Sequence, residues 1–325
     1  MKTRKPQKFS VIGAGMVGTA IGFLLKKAGH HIVSFVDVSQ AHLKRAQKYT
    51  GAPGFHKPVQ AAEKADCLLI TTPDDRIRTV CAEIATHASL QGKKVLHMSG
   101  AGGLDLLDHA VRAGGQVASI HPLQSFSSIE GAIASIPGSY FGVTAAKGAK
   151  KFASSLVRDL GGIPMEITPE QKPLYHAAAC IASNYLVSLM SVVESIYRSI
   201  GFSDKDARKA YLPLVYGSLA NIKNQGCEKA LTGPIARGDA GTIQKHIKAM
   251  ASHHPDLSPL YTNMGFIAVN LARRKGALNT EQANFIQKLL KGAKNEHTNE
   301  NQPENSSGHQ KNENLGRENR HADSI

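Results

Sequence analysis

A glycine turn between an apolar strand and a small-residue helix constrains this chain more tightly than any other feature. It reads Val11-Ile12-Gly13-Ala14-Gly15-Met16-Val17-Gly18. Ahead of it, Phe9 to Ile12 reads as a buried strand, and behind it Met16 to Ala28 reads as a helix rich in Ala, Leu and Ile. His31 to Val36 follows as a second buried strand, closed by Asp37. An acidic residue about 20 positions past a G-x-G-x-x-G turn is the arrangement that holds a dinucleotide.

Each residue in the turn has a physical task. Gly13 permits the tight turn, Gly15 lets backbone approach a pyrophosphate, and Gly18 allows close packing of helix on strand. At Met16 and Val17 the helix N-terminus offers unpaired N–H groups and a positive dipole end to phosphate. Asp37 can accept hydrogen bonds from ribose hydroxyls. Thr72 and Pro73, in the turn after the next apolar strand, complete the expected cofactor-binding set.

The 325 residues suffice for two ordinary domains. A formal charge of +14 raises the question of nucleic acid, but the basic residues are spread over many helices with no DNA-reading motif, so nucleic-acid binding is not expected. The four cysteines are scattered without a C-x-x-C pair, which fits free thiols in a reducing cytoplasm. No metal site is expected, since His253-His254 is adjacent and H-E-x-x-H spacing is absent. No membrane span is expected either: the most apolar long stretch, His176 to Val193, is interrupted by Ser183, Asn184, Ser188 and Ser191 and reads as a buried helix.

Strands and helices alternate as far as Ile167, which argues a parallel, doubly wound sheet. Asp74 and Asp75 precede the helix Arg76 to Thr86, where they read first as N-caps, although their loop also lies at the carboxyl end of a strand beside the expected cofactor cleft. Lys94 to Met98 ends in Ser99, and Gln116 to Ile120 runs into His121-Pro122. Ligands of such sheets bind beyond the carboxyl ends of the strands, which singles out Ser99 and His121. From Glu170 the pattern turns helical, with Glu170 to Ile200 read as one long helix carrying His176, Cys180 and Ser183 on one face and Asn184 at its margin. Asp204 to Asn224 continues as helix with an expected interruption at Pro213. In the loop from Ala230 to Asp239, Thr232 is a further polar candidate, Arg237 is suited to clamp a carboxylate, and Asp239 is suited to cap the next helix. Two last helices, Leu257 to Arg274 and Thr280 to Leu290, precede a polar stretch too poor in apolar residues to fold. The expected organisation is a basic lead (1–7), a dinucleotide-binding domain (8–168), a helical domain (169–291) and a disordered polar tail (292–325).

The glycine turn, Thr72-Pro73-Asp74-Asp75, His97-Met98-Ser99-Gly100, His121-Pro122-Leu123-Gln124-Ser125-Phe126, Tyr175-His176-Ala177-Ala178-Ala179, Ser183-Asn184-Tyr185 and Leu231-Thr232-Gly233-Pro234-x-x-Arg237-Gly238-Asp239 together resemble one family. It is a bacterial group of oxidoreductases that joins a Rossmann-like domain to a helical C-terminal domain of unknown function. The resemblance covers about residues 8 to 291. It extends to the superfamily of 6-phosphogluconate dehydrogenase, pyrroline-5-carboxylate reductase and prephenate dehydrogenase. It implies a nicotinamide cofactor, a helical second domain that dimerises, and no particular substrate. Family members often carry an arginine after the second strand, where this chain has Asp37-Val38-Ser39. A carboxylate there accepts ribose hydroxyls and repels a phosphate, so NAD is favoured over NADP, with Lys44 and Arg45 keeping NADP open.

The expected function is therefore an NAD(P)-dependent oxidoreductase acting on a small anionic keto, hydroxy or imino substrate in the cytoplasm. His176 is the expected general acid/base, with Asn184 and Ser99 hydrogen-bonding the reacting oxygen or nitrogen. Arg237, His121 and Thr232 are expected to bind the substrate. The rival reading is a sensor or scaffold that binds NAD(P) without turning anything over.

Overall fold

The computed structural model describes residues 5–300, with side chains described through Gly292. By its internal contacts the chain divides into two compact units, Met1–Ser188 and Leu189–Ile325.

The first unit is built on one eight-stranded sheet. In chain order its elements are β1 (Lys8–Ile12), α1 (Met16–Lys27), β2 (His31–Val36), α2 (Gln40–Thr50), β3 (Gly54–Phe55), α3 (Pro58–Ala62), β4 (Cys67–Ile70) and α4 (Asp74–His87). There follow β5 (Lys94–His97), α5 (Asp108–Arg112), β6 (Gln116–Pro122), α6 (Ile129–Ser135), β7 (Tyr140–Ala145), α7 (Lys150–Asp159), β8 (Ile163–Glu166) and α8 (Lys172–Ala182). The strand order is β3-β2-β1-β4-β5-β6-β7-β8. Central strands such as β4 are buried throughout, as expected of strands with helices on both faces. Phe9, Ile21, Leu25, Leu69, Phe141 and Leu156 belong to one apolar layer, and Ile12, Leu68, Ile70, Ile77, Ile84 and Leu107 to another.

The doubly wound sheet agrees with the sequence reading, with one exception. β6 and β7 pair antiparallel, with His121 opposite Gly142 and Pro122 opposite Phe141. The chain leaves the carboxyl end of β6, passes through α6 and re-enters at that same end, where Leu123 N–H donates to the Tyr140 carbonyl at 2.8 Å. The periodicity overlooks β3, α3 and α6, the first two being only two and five residues long.

The predicted long helix from Glu170 to Ile200 is broken. A capping box between Thr168 and Gln171 starts a 3₁₀ turn at Pro169–Gln171, α8 follows, and Ser183 (φ −118°, ψ −72°) separates it from α9 (Asn184–Ser199). Nor is the stretch buried. Leu174 is 79% exposed, Tyr185 63% and Val187 70%, and none of the most apolar window of Pro169–Ser199 is buried within the chain. By length and composition alone that stretch could cross a membrane. Among the described residues nothing covers these apolar side chains, which is why periodicity mistook an apolar helix for a core helix.

In the second unit, α10 (Asp204–Ala230) passes through Pro213 without interruption, and its break falls at Gly226, where φ is +76°. α11 (Pro234–Arg237), α12 (Ala240–His253), α13 (Ser258–Arg274) and α14 (Thr280–Glu300) follow. Asp239 caps α12 as predicted, accepting from Thr242 N–H at 3.0 Å. Ile243, Val269, Ala272, Leu278, Ile286 and Leu290 form this unit's core. α14 continues past Gly292, where a disordered tail is expected from composition. The rest of that tail, and the first four residues of the basic lead, lie outside the described residues.

Candidate functional site

Two sets of functional groups stand at the carboxyl ends of neighbouring strands in the first unit. The first is the glycine turn after β1. Gly13 has φ +105°, and a Cβ there would lie 2.7 Å from the Thr71 carbonyl carbon and oxygen. A Cβ on Gly18 would overlap the Gly13 carbonyl oxygen, so α1 can approach the turn only with glycine at that position. At Gly15 nothing lies within 4 Å of such an atom, which leaves this backbone open to a ligand. Thr71, which the sequence reading passed over, holds the turn by donating its hydroxyl to the Gly13 carbonyl at 2.7 Å. The neighbouring Thr72 hydroxyl is buried without a hydrogen-bond partner, an uncommon state for a native polar group.

Asp37 does more than wait for a ribose. Its Oδ2 accepts from Ala14 N–H at 2.7 Å, its Oδ1 accepts from Ser39 N–H at 2.8 Å, and His42 Nδ1 lies 3.3 Å away. The carboxylate thus ties β2 to the glycine turn and to the start of α2. Open backbone at Gly15, an unpartnered Thr72 hydroxyl and a carboxylate beside the turn together fit a dinucleotide. Met16 and Val17 begin α1, and Pro73 is the N-cap of α4.

The second set lies beyond β4, β5 and β6. Asp74 is not a cap, since Pro73 takes that place. Its carboxylate instead accepts the Ser99 hydroxyl at 2.5 Å, and Ser99 Oγ in turn accepts from Gly102 N–H at 2.8 Å. A serine hydroxyl has one proton, and here Asp74 holds it. Below Ser99 sits Lys172, the first residue of α8 and only 1% exposed. Its Nζ donates to the Ser99 carbonyl at 3.0 Å and to Ser119 Oγ at 2.9 Å. Burial lowers its pKa to about 8, opposed by the nearby Asp74 charge.

Two histidines are held neutral beside this cation. Burial, then the Lys172 charge, lowers the His97 pKa to about 4. Its Nδ1 accepts from Ser99 N–H at 3.1 Å, so Nε2 carries the proton and donates to the Gly103 carbonyl at 3.0 Å. His121 is also lowered to about 4, first by burial and then by His176 and Lys172. Its Nδ1 lies 2.9 Å from the Tyr175 hydroxyl, and its ring meets the His176 ring edge to face at 5.7 Å. A Cβ on Gly100 would overlap the His176 ring and lie 2.8 Å from His121 Nε2, so both rings close over that glycine. Cys180 Sγ lies 3.9 Å from both His176 ring nitrogens, one helical turn on, as its place on the His176 face predicts.

Of the sequence-predicted residues, Ser99, His121 and His176 come together. Asn184 opens α9 with an exposed side chain. Thr232 and Arg237 are exposed on the second unit, Arg237 closing the short helix α11. Lys172, Asp74, His97 and Ser119 are the functional groups that the sequence reading did not assign. The one available signal was Lys172 itself, a lysine starting an otherwise apolar helix directly after a capping box. Among the described residues, no three His, Cys, Asp or Glu side chains gather as a metal cage.

Comparison with known proteins agrees with this architecture. Residues 2–122 match the Rossmann-like domain, and residues 139–268 match the domain of unknown function DUF2520. No curated protein matches the chain. A candidate NADP oxidoreductase from Bacteroides fragilis superposes with a TM-score of 0.67 at 17% identity, over 80% of this chain and 96% of that one. Protein TM1727 from Thermotoga maritima gives a TM-score of 0.64 at 24% identity, over 82% and 99%. A Plasmodium falciparum pyrroline carboxylate reductase with NADP bound gives 0.55 at 13% identity, over 87% and 98%. At these identities the likeness is one of fold. The chain joins a Rossmann-like domain to a DUF2520 domain.

Proposed function

We propose that the protein is an NAD(P)-dependent oxidoreductase of a small anionic keto, hydroxy or imino substrate. One observation carries this reading: a glycine turn fit for a dinucleotide and a cluster of buried titratable groups stand at the carboxyl ends of β1, β4, β5 and β6, consecutive in one sheet. The NADP named for the Bacteroides and Plasmodium neighbours supports it. The cofactor, when bound, donates or accepts hydride, and the chain's own residues bind, orient and move protons.

Backbone at Gly13 to Gly18 and the Thr72 hydroxyl would hold the pyrophosphate side. Asp37 would take the ribose and favour NAD over NADP. His176, at the mouth of the cluster, exchanges the proton. Asn184 hydrogen-bonds the reacting group, and Ser99, with its proton committed to Asp74, serves only as an acceptor. Lys172 is a positioning residue that fixes the Ser99 carbonyl and with it the loop on which the rings rest. From the sequence, Arg237, of this chain or of a second copy, and Thr232 are assigned to the substrate carboxylate. The exposed apolar residues of α8, α9 and α10, Leu174, Tyr185, Val187 and Leu214 among them, support a homodimer in which a second copy covers them.

The test is oxidation of NADH and NADPH, followed by absorbance, against small keto acids and cyclic imino acids. Turnover is expected with one class, reduced about 10²–10⁴-fold in His176→Ala while cofactor affinity holds. No turnover across the panel with either cofactor would contradict the reading, and undiminished turnover in the variant would remove His176 from its role.

A further inference from the structure

The stack of Tyr175, His121 and His176 is shaped with unusual economy. His121 stands in β6 opposite Gly142 of β7, and a Cβ on Gly142 would lie 2.8 Å from the Tyr175 ring and hydroxyl. Gly142 therefore gives up its side chain so that the phenol can lie against the strand pair. Gly100 does the same beneath the two imidazoles. Tyr175 and His121 meet at 89° with ring centres 5.6 Å apart, and the phenol oxygen lies 2.9 Å from His121 Nδ1.

That hydrogen bond has a direction. Burial raises the phenol pKa, so Tyr175 keeps its proton. The Gly142 backbone N–H also faces that oxygen and works against the burial, and because an N–H only donates, the phenol proton goes to His121 Nδ1. Burial together with His176 and Lys172 opposes charge on His121. A neutral imidazole that accepts at Nδ1 carries its proton on Nε2, the nitrogen over Gly100 beside the His176 ring.

We infer that Tyr175 is a positioning residue that locks His121 as the neutral Nε2–H tautomer, making it a hydrogen-bond donor to a carbonyl oxygen or imine nitrogen. His121 then polarises the group that receives hydride and does not act as a base, leaving the proton to His176. The substrate side of this inference rests on the proposed oxidoreductase activity; the tautomer does not.

Long-range proton–nitrogen spectra of the full-length ¹⁵N-labelled protein at neutral pH read the tautomer directly, with His121 assigned from its loss in His121→Gln. The wild type should show His121 protonated at Nε2 alone, and Tyr175→Phe should give a mixture of tautomers. A wild-type His121 protonated at Nδ1, or a tautomer unmoved in Tyr175→Phe, overturns the inference whether or not any cofactor binds. Once turnover is measured, His121→Gln, which retains an N–H donor, should keep about tenfold more activity than His121→Ala. Equal loss in the two would overturn the donor role.

Discussion

The two candidate regions of the first unit do related work with opposite materials. The turn after β1 is almost all backbone: Gly13, Gly15 and Gly18 matter because they lack side chains. The cluster beyond β4, β5 and β6 is almost all side chain, with buried Lys172, His97 and Ser99 joined to Asp74 in one polar network. A backbone site is local and, at Gly13 and Gly18, has no room for an added atom. A side-chain site is assembled from distant segments and depends on the protonation of its members. The first should fail through sterics and the second through pH.

The largest expected effect separates them. Gly13→Ala combines a left-handed backbone with overlap on Thr71, costing about 4 kcal/mol of stability and detectable NADH binding. Its acid transition should still follow the histidine cluster. Thermal melts and fluorescence titration read both, and normal NADH affinity in the variant would break the contrast.

Acid should attack the other region. His97 has a folded pKa of about 4 against 6.5 ordinarily, so the unfolded chain takes up the proton first. Stability is then complete above pH 6.5 and lost as pH falls toward 4, by about 3 kcal/mol from this one group. His121 adds to the loss in the same direction. Urea unfolding across that window checks it, and a flat profile would contradict the buried neutral histidines.

Lys172 gives a smaller effect at the opposite end. Its folded pKa of about 8 lies below the ordinary 10.5, so the unfolded chain holds more protons between those values and stability rises with pH there. By about pH 9.5 the gain is about 2 kcal/mol, and Lys172→Met should abolish it. An identical alkaline profile in the variant would mean that Lys172 is not the buried cation described.

The difference in materials also explains what was legible in the sequence. Gly13, Gly15, Gly18 and Asp37 lie within 25 residues of one another, so spacing alone exposed the first region. His121 was found because it sits beside a strand-ending proline, and His176 because it shares a helix face with Cys180 and Ser183. Lys172 was not, because a lysine at a helix start is an ordinary surface residue until the fold buries it, and Asp74 read first as a cap because only the fold brings Ser99 to it. The apolar stretch through α8 and α9 misled in the opposite sense, since periodicity reports an apolar face and not what covers it. Pro213 misled likewise, because a long helix can absorb a proline that local rules treat as a stop.

The most direct test is a titration of the purified protein with NADH and, separately, NADPH, following nicotinamide fluorescence, alongside Asp37→Asn. Saturable binding is expected, tighter for NADH, with NADH affinity about tenfold weaker and NADPH affinity little changed in the variant. Folded protein that binds neither cofactor would contradict the dinucleotide reading of the glycine turn and the activity built on it.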